Sequence, residues 1–284
     1  MTHLEMFHGL VAAGMKMRYG SKPGKVATLR CLWEKKHIMD AGFIDEYLMA
    51  FTLFRHNAEA AGISYWARGA MPSSIVCYCL GLTEIDPIAY GLHSVRFVND
   101  ELPKFQFDIE ASRYDEFMEM AEEVLQESAT EGYDIESIRA CMLQRLKNLT
   151  PMEYLSRKQE RPLTENIDDE LARYALSFPQ TMDLYETYIQ NPKIDILIYQ
   201  EEMLDILKNT FHVSSIKANQ IRLSIQRGET EQVEAYKQEL FSDLKDLSLD
   251  QAEAAWQRLN SNPRAFLKAH AVSHVIASHK YELK

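Results

Sequence analysis

The chain has 284 residues, of which 46% are hydrophobic, and a formal net charge of −11. This composition is typical of a globular protein with one large or two small cores. The acidic balance argues against general nucleic-acid binding. We expect a cytoplasmic protein, because there is no run of about 18 apolar residues and the N-terminus lacks a basic and then apolar leader. The cysteines lack the spacing of a zinc site and are expected to be reduced and buried.

The charge is unevenly distributed along the chain. Residues 1–68 hold nine Lys and Arg against six Asp and Glu, a balance of +3, so the rest of the chain carries −14. Any contact with a polyanion should therefore favour the N-terminal part.

Helical periodicity dominates the predicted elements. Over 28–43 the spacing predicts a helix with Leu29, Leu32, Trp33 and Ile38 on one face, and a second helix ends at Gly62. Further along, we predict a buried helix over 75–82, strands over 95–100 and 104–110, an acidic helix over 113–131, and helices over 199–211, 215–228, 233–246, 248–260 and 265–282. The expected fold class is α+β, mostly helical, with one small sheet.

The domain organisation is predicted from changes in regularity. Residues 1–150 are expected to form one domain, and 196–284 a second, helical domain. The interval 151–195 is predicted to be a divergent linker or insertion, because it contains the charged, proline-containing stretch RKQERPLTENIDDE.

Several blocks of sequence follow one another in a characteristic order. They are EKKHIMDAGFIDEYL, RGAMPSSIVCYCLGLTEIDPIAYGL, RFVND and LPKFQFDIE, followed near the C-terminus by IYQEEM, the stretch 218–228 and FLKAHAVSH. In this order they resemble the palm and fingers of the bacterial C-family replicative polymerases, the alpha subunits of DNA polymerase III. The resemblance covers about 1–115 and 196–284. It implies a palm-like mixed sheet of the polymerase-beta-like nucleotidyltransferase type and a C-terminal fingers-like helical region.

The resemblance implies a phosphate cradle in the stretch RGAMPSS. Its nucleotide-binding residues would be Arg68, Gly69, Ser73 and Ser74. The family's preceding Gly-Pro-Gly is replaced by Tyr-Trp-Ala at 65–67, and Met71-Pro72 stands where small residues are usual. Larger side chains limit how closely a phosphate approaches the backbone. The alternative is that Pro72-Ser73-Ser74 only begins a buried helix.

The resemblance also implies carboxylates that would hold two metal ions. In PKFQFD, Lys104 and Gln106 stand at acidic positions of the family's pattern, and Asp108 remains as a catalytic candidate. Asp108 and Glu110 lie two apart, so a strand would place both on one face as ligands of Mg²⁺. Asp195, in KIDIL, is a third catalytic candidate. Solvated carboxylates on an edge strand are the alternative.

Residues of the C-terminal helices complete the predicted nucleotide site. Those that match family positions near the incoming nucleotide are Arg222, Arg227, Lys268 and His270. Solvated or packed helical side chains are the alternative reading of the same residues.

Two functions from different classes remain. The favoured one is a DNA polymerase III alpha-like protein without independent polymerase activity and without a metal cofactor, a scaffold that binds nucleic acid, nucleotide or a replication protein. The other is an active Mg²⁺-dependent nucleotidyltransferase, a DNA-directed DNA polymerase, alone or completed by a second chain. No membrane partner is expected. The acidic helix over 113–131 is either a solvated face or a surface for a basic partner.

Overall fold

The structure is a computed structural model that describes residues 1–149, 166–244 and 247–282. Its contacts divide the chain into two compact units, Met1–Arg161 with Val272–Lys284, and Pro162–Ala271. We call them the N-unit and the C-unit, and each has a hydrophobic cluster of its own. Within the described ranges, no helix combines the length and the apolar character needed to cross a bilayer.

The N-unit is mainly helical. Its helices are α1 (His3–Tyr19), α2 (Lys25–Asp40), α3 (Ile44–Ala50), α4 (Ile75–Cys79), α5 (Tyr114–Thr130) and α6 (Ile135–Cys141). Helix α3 continues directly as a π-helix over Phe51–Ala58. Helix α5 confirms the predicted acidic helix, and α2 and α3 confirm the two helices predicted before residue 62.

A three-stranded mixed sheet lies among these helices. Its strands are β1 (Tyr65–Arg68), β2 (Gln106–Glu110) and β3 (Lys147–Leu149), in that spatial order. Strand β1 is antiparallel to β2 with Trp66 opposite Asp108 and Arg68 opposite Gln106, and β2 is parallel to β3. Opposite residues of paired strands share a face, so these four side chains lie on the same side of the sheet. The predicted fold class, mostly helical α+β with a small mixed sheet, is confirmed.

Aromatic side chains fix the opposite face of the sheet to the helices. Phe107 of β2 is fully buried, and its ring stacks on Phe54 of the π-helix with 3.7 Å between centroids. Phe54 also stacks on Phe117 of α5 at 5.2 Å. Each such ring removes a large apolar area from water. This core holds the sheet in place and leaves its charged residues on the other side.

The strand predicted over 95–100 is wrong. Ser94–Arg96 form a 3₁₀ turn, and the amide of Val98 donates to the carbonyl of Ser94 at 2.8 Å. Val95 and Phe97 are buried, so the apolar residues of this segment point into the core from a turn. Alternation of apolar and polar residues over so few positions does not distinguish the two cases.

The predicted apolar face of α2 is also partly wrong. Leu29 and Leu32 are each 56% exposed, although Ile38 is buried as predicted. The buried positions of the helix are Ala27, Cys31, Glu34 and Ile38. The face that is turned inward therefore carries a carboxylate.

The C-unit consists of helices. They are α7 (Ile167–Leu176), α8 (Met182–Gln190), α9 (Gln200–Thr210), α10 (Ser215–Arg227), α11 (Thr230–Ser242), α12 (Leu249–Asn260) and the start of α13 (Lys268–Glu282), whose residues from Val272 onward belong to the N-unit. Helices α9 to α13 confirm the helices predicted beyond residue 199. The predicted linker includes α7 and α8, while its residues 151–165 lie outside the described residues. The predicted domain boundaries stay a prediction.

Candidate functional site

The turn that precedes α4 surrounds a carboxylate of the protein itself. The backbone amides of Ile75 and Val76 donate to the two oxygens of Glu34 at 3.1 and 3.0 Å, and the hydroxyl of Ser74 donates at 2.7 Å. Glu34 is fully buried. Backbone amides and hydroxyls at such a turn are donors suited to an anion. Here the anion they bind is Glu34.

Further donors complete the environment of Glu34. The hydroxyl of Ser94 donates to Oε1 at 2.5 Å, and Nε of Arg30 lies 3.3 Å from the same oxygen. Arg30 also donates to the carbonyl oxygens of Leu92 and Ser73. A buried carboxylate with several donors and a guanidinium partner is well satisfied. Arg30 and Glu34 thus tie α2 to the turn.

Both serines predicted to bind phosphate are engaged internally. The hydroxyl of Ser73 donates to the carbonyl of Ala70 at 2.5 Å, and Ser74 accepts from the amide of Cys77 at 3.1 Å while donating to Glu34. Both serines are fully buried. Ser74 is the N-cap of α4, as the alternative interpretation of this stretch requires.

On the sheet, the predicted phosphate ligand and the predicted metal ligand face each other. Nε of Arg68 lies 2.9 Å from Oδ1 of Asp108, whose side chain is 6% exposed. Arg68 also donates to the carbonyl of Arg145 at 2.7 Å and to Oε1 of Gln106 at 3.2 Å. The register of β1 and β2 places these side chains side by side. Their opposite charges neutralise each other.

Gly69, which follows Arg68, lies close to the side chain of Gln106. Its φ is +66°, and a Cβ at this position would lie 2.1 Å from Oε1 of Gln106. Glycine is therefore required by the left-handed backbone and by the close carboxamide. Gln106 is neutral, so it supplies no anionic metal ligand.

Glu110 follows Asp108 on the same face of β2 but lies in a different environment. Its side chain is half-buried and accepts from the hydroxyl of Ser112 at 2.7 Å. Among the residues that the structure describes, no group of three His, Cys, Asp or Glu could hold a metal ion. With Asp108 paired to Arg68, Asp108 and Glu110 do not fit Mg²⁺, which needs anionic oxygens free to coordinate it.

The C-terminal part of α13 contacts the charged side of β1. The indole Nε1 of Trp66 donates to the carbonyl and hydroxyl oxygens of Ser273 at 2.9 and 2.8 Å. The hydroxyl of Ser273 in turn donates to the carbonyl of Ala67. These contacts contribute to the burial of Trp66, which is 5% exposed.

The remaining predicted site residues lie in the C-unit. Arg222 is 1% exposed and donates to the side-chain oxygens of Asn219, Gln200 and Gln226 at 3.1, 3.2 and 2.6 Å. The backbone amide of Lys268 donates to Glu201 at 2.9 Å. Gln200 and Glu201 therefore bring Arg222 and Lys268 to the start of α9.

His270 and the two exposed candidates have separate partners. Nε2 of His270 lies 3.5 Å from the hydroxyl of Tyr174. Arg227 pairs with Glu229 at 3.6 Å, and Asp195 pairs with Arg258 at 2.7 Å. The side chains of Arg227 and Asp195 are 59% and 73% exposed. A catalytic role for Asp195 and nucleotide roles for the others stay predictions.

Sequence reasoning missed Glu34 and Arg30. A signal for Glu34 was available, because Cys31 and Ile38 lie three and four residues away and share its helix face. A carboxylate on an apolar face needs buried partners. The expected burial of the four cysteines is confirmed. Burial raises the pKa of the Cys77 thiol well above its usual value.

Part of the N-unit is similar in sequence to known proteins. Residues 5–131 match the sequence model described as the bacterial DNA polymerase III alpha NTPase domain. The error-prone DNA polymerase of Cutibacterium acnes is 34% identical over 121 residues, and the DNA polymerase III subunit alpha of Mycobacterium leprae is 35% identical over 115 residues. These matches cover 42% and 39% of this chain, and 10% of each relative.

The matched segment includes α2, the turn and β2, which carry Glu34, Ser74 and Asp108. The likeness of the C-terminal helices to the fingers lies beyond the matched residues and stays a prediction. From residue 5 to residue 131, the chain is similar to the alpha subunits of bacterial DNA polymerase III.

Proposed function

We propose that this DNA polymerase III alpha-related protein has no independent polymerase activity and acts as a cytoplasmic scaffold that binds nucleic acid, nucleotide or a replication protein. The observation that carries the proposal is the ion pair between Arg68 and Asp108, with 2.9 Å between Nε and Oδ1. A nucleotidyltransferase would need Arg68 for phosphate and Asp108 for metal. In this protein the two groups bind each other.

The energetics favour this closed arrangement. Separating a buried ion pair by removing one partner costs about 3–5 kcal/mol. A metal ion or a triphosphate would have to compensate a cost of this kind before it gained any binding free energy. Gln106 offers no charge to help, and Glu34 already occupies the amides of the turn. We therefore propose no magnesium cofactor.

The charge distribution limits how the scaffold would contact nucleic acid. The net charge of −11 opposes binding along most of the chain, whereas residues 1–68 carry an excess of positive charge. Contacts to phosphates weaken steeply with salt. We expect any DNA contact to involve this N-terminal part and to be detectable at low ionic strength.

Primer extension with Mg²⁺ and with Mn²⁺ tests the proposal. The proteins to compare are the wild type, Asp108→Asn, and the matched control Asp115→Asn, whose carboxylate is exposed on α5. We expect no extension by any of the three. Extension by the wild type and Asp115→Asn that is lost in Asp108→Asn would overturn the proposal and favour an active nucleotidyltransferase, alone or with a complementary polymerase chain.

Fluorescence anisotropy with a labelled primer–template and with labelled thymidine triphosphate tests the binding role. Binding at low salt that is equal in the wild type and Asp108→Asn is expected if DNA or nucleotide is the partner. If neither probe binds, the proposed partner is restricted to a replication protein.

A further inference from the structure

The N-unit contains a cavity of about 400 Å³ that the predicted polymerase site does not use. Arg18 at the end of α1, Arg55 of the π-helix, Trp66 of β1, Glu84 and Lys280 are among the residues that line it. Arg68, Asp108 and Ser73 are not. A volume of this size is typical of sites for small organic ligands. We call it the Arg18 cavity.

Arg18 is the charged group of the cavity whose interactions are all with neutral partners. Its Nε and Nη2 donate to the carbonyl oxygens of Tyr78 and Thr83 over long distances of 3.3 and 3.5 Å. The guanidinium carbon lies 4.4 Å from the centre of the Tyr78 ring. In the part of the chain that the structure describes, no carboxylate pairs with Arg18. The ring and the carbonyls hold the guanidinium in place without cancelling its charge.

The other charges of the cavity are balanced in pairs. Arg55 pairs with Glu59, and Nζ of Lys280 lies 3.0 Å from Oε2 of Glu84. The side chain of Arg55 packs against Gly81, whose φ is +74°. A Cβ on this glycine would lie 2.9 Å from the Arg55 side chain. The three cations and two carboxylates leave the cavity with an excess of one positive charge, which Arg18 supplies.

An aromatic ring adjoins the charged groups. Trp66 lines the cavity, and Nζ of Lys280 lies 5.0 Å from the centre of the Trp66 ring. The hydrogen bonds from Trp66 to Ser273 fix the orientation of the indole. Such rings provide a rigid apolar surface for the organic part of a ligand.

We propose that the Arg18 cavity binds a small phosphate-bearing molecule, with the phosphate on the guanidinium of Arg18 and any organic group against Trp66. Arginine presents several N–H donors in a plane that matches phosphate oxygens. The excess positive charge and the cavity volume suit a small phosphate ester. This site is separate from the predicted polymerase site, since neither Arg68 nor Asp108 lines it.

Isothermal titration calorimetry without metal ions tests the site, with thymidine 5′-monophosphate, inorganic phosphate and thymidine as probes. Arg18→Met removes the anchor, and Lys280→Glu reverses one charge and leaves Glu84 without its partner. Lys16→Met is the matched control, because Lys16 is an exposed cation on the same helix and does not line the cavity. Thermal melts establish that each variant is folded.

Thymidine monophosphate should bind the wild type and Lys16→Met with equal affinity. Its affinity for Arg18→Met and for Lys280→Glu should be lower by a factor of about ten or more. A preference for the ester over inorganic phosphate would assign the site to organic phosphates, and equal affinities would assign it to free phosphate. The proposal would be overturned if neither phosphate bound the wild type, or if Arg18→Met bound thymidine monophosphate as tightly as the wild type does. Binding of thymidine as tight as that of thymidine monophosphate would also overturn it.

Discussion

The turn before α4 and the charged face of the sheet are closed by opposite internal charges. In the turn, amides and hydroxyls suited to an anion surround Glu34. On the sheet, Asp108, which could bind a cation, faces Arg68. Each half of the predicted nucleotide site thus holds a side chain with the charge of its expected ligand. The two halves differ in burial, since Glu34 is fully buried whereas the Arg68 side chain is 14% exposed. A substitution in the turn should therefore lower the free energy of unfolding more than one on the sheet.

Replacing Glu34 with alanine should have the largest effect. The amides of Ile75 and Val76, two hydroxyls and the Arg30 guanidinium would lose their acceptor inside the protein. We expect a loss of about 3–5 kcal/mol of unfolding free energy, measured by urea denaturation. The control Glu123→Ala removes an exposed carboxylate on α5 and should change stability by less than about 0.5 kcal/mol.

Phosphate should partly rescue the Glu34→Ala variant. If the turn is an anion site filled by Glu34, added inorganic phosphate can bind the vacated amides and raise the urea midpoint more in the variant than in the wild type. Equal stability of Glu34→Ala and Glu123→Ala would contradict the role assigned to Glu34.

Replacing Arg68 with methionine should cost somewhat less, about 3 kcal/mol. Asp108 would keep its charge at a buried position without its guanidinium partner. The double variant Arg68→Met/Asp108→Asn should recover part of this loss, because the remaining side chain is neutral. Equal stability of the single and double variants in urea denaturation would show that the ion pair does not hold this face of the sheet.

Gly69→Ala should destabilise the N-unit by about 1–2 kcal/mol from the left-handed backbone, with a further loss because Gln106 must move. Gly42→Ala is the matched control, since its φ is +77° and a Cβ there would meet nothing within 4 Å. Urea denaturation of both variants isolates the contribution of the Gln106 contact. Equal losses would mean that this contact adds nothing.

A half-buried carboxylate of the C-unit provides the smallest test. Glu202 accepts from the amides of Ile198 and Tyr199 at 2.7 and 2.6 Å, and burial raises its pKa above the ordinary 4.5. The folded protein then binds this proton more tightly than the unfolded chain, so the stabilisation is complete below pH 4.5 and is lost as pH rises through the folded pKa.

Glu202→Gln should flatten this part of the pH profile. Urea denaturation between about pH 4.5 and 7, the window above the ordinary pKa of a glutamate, measures the difference in slope between the wild type and the variant. Identical slopes would mean that burial of Glu202 does not contribute to the pH dependence of stability.

The sequence predicted the elements of this site better than their interactions. The spacing of Asp108 and Glu110 correctly predicts that both lie on one strand. The alternative interpretation of Pro72-Ser73-Ser74, the beginning of a buried helix, is the one that the structure shows. Strand β1 was missed because YWAR is short and lacks clear alternation. Its pairing with β2 brings Arg68 to Asp108, and no local pattern encodes that contact. A pairing between distant segments depends on the packed fold.

The remaining wrong predictions concern which residues are buried and in which kind of element. Leu29 and Leu32 seemed to define the inner face of α2, yet that face contains Glu34, because the turn supplies donors that make its burial favourable. The rule that apolar residues are buried does not predict that Glu34 is buried while Leu29 and Leu32 are exposed, because the donors for Glu34 come from a distant turn. The same limit applied to Val95 and Phe97, which are buried without forming a strand.

The most direct test of the internally closed site is a calorimetric titration of thymidine triphosphate with and without Mg²⁺ into the wild type and Asp108→Asn. The account predicts that any heat of binding is the same in both proteins, whether or not the metal is present. Binding to the Arg18 cavity would also satisfy this condition. Metal-dependent nucleotide binding that disappears in Asp108→Asn would contradict the account, because it would mean that Asp108 leaves Arg68 to hold a metal ion.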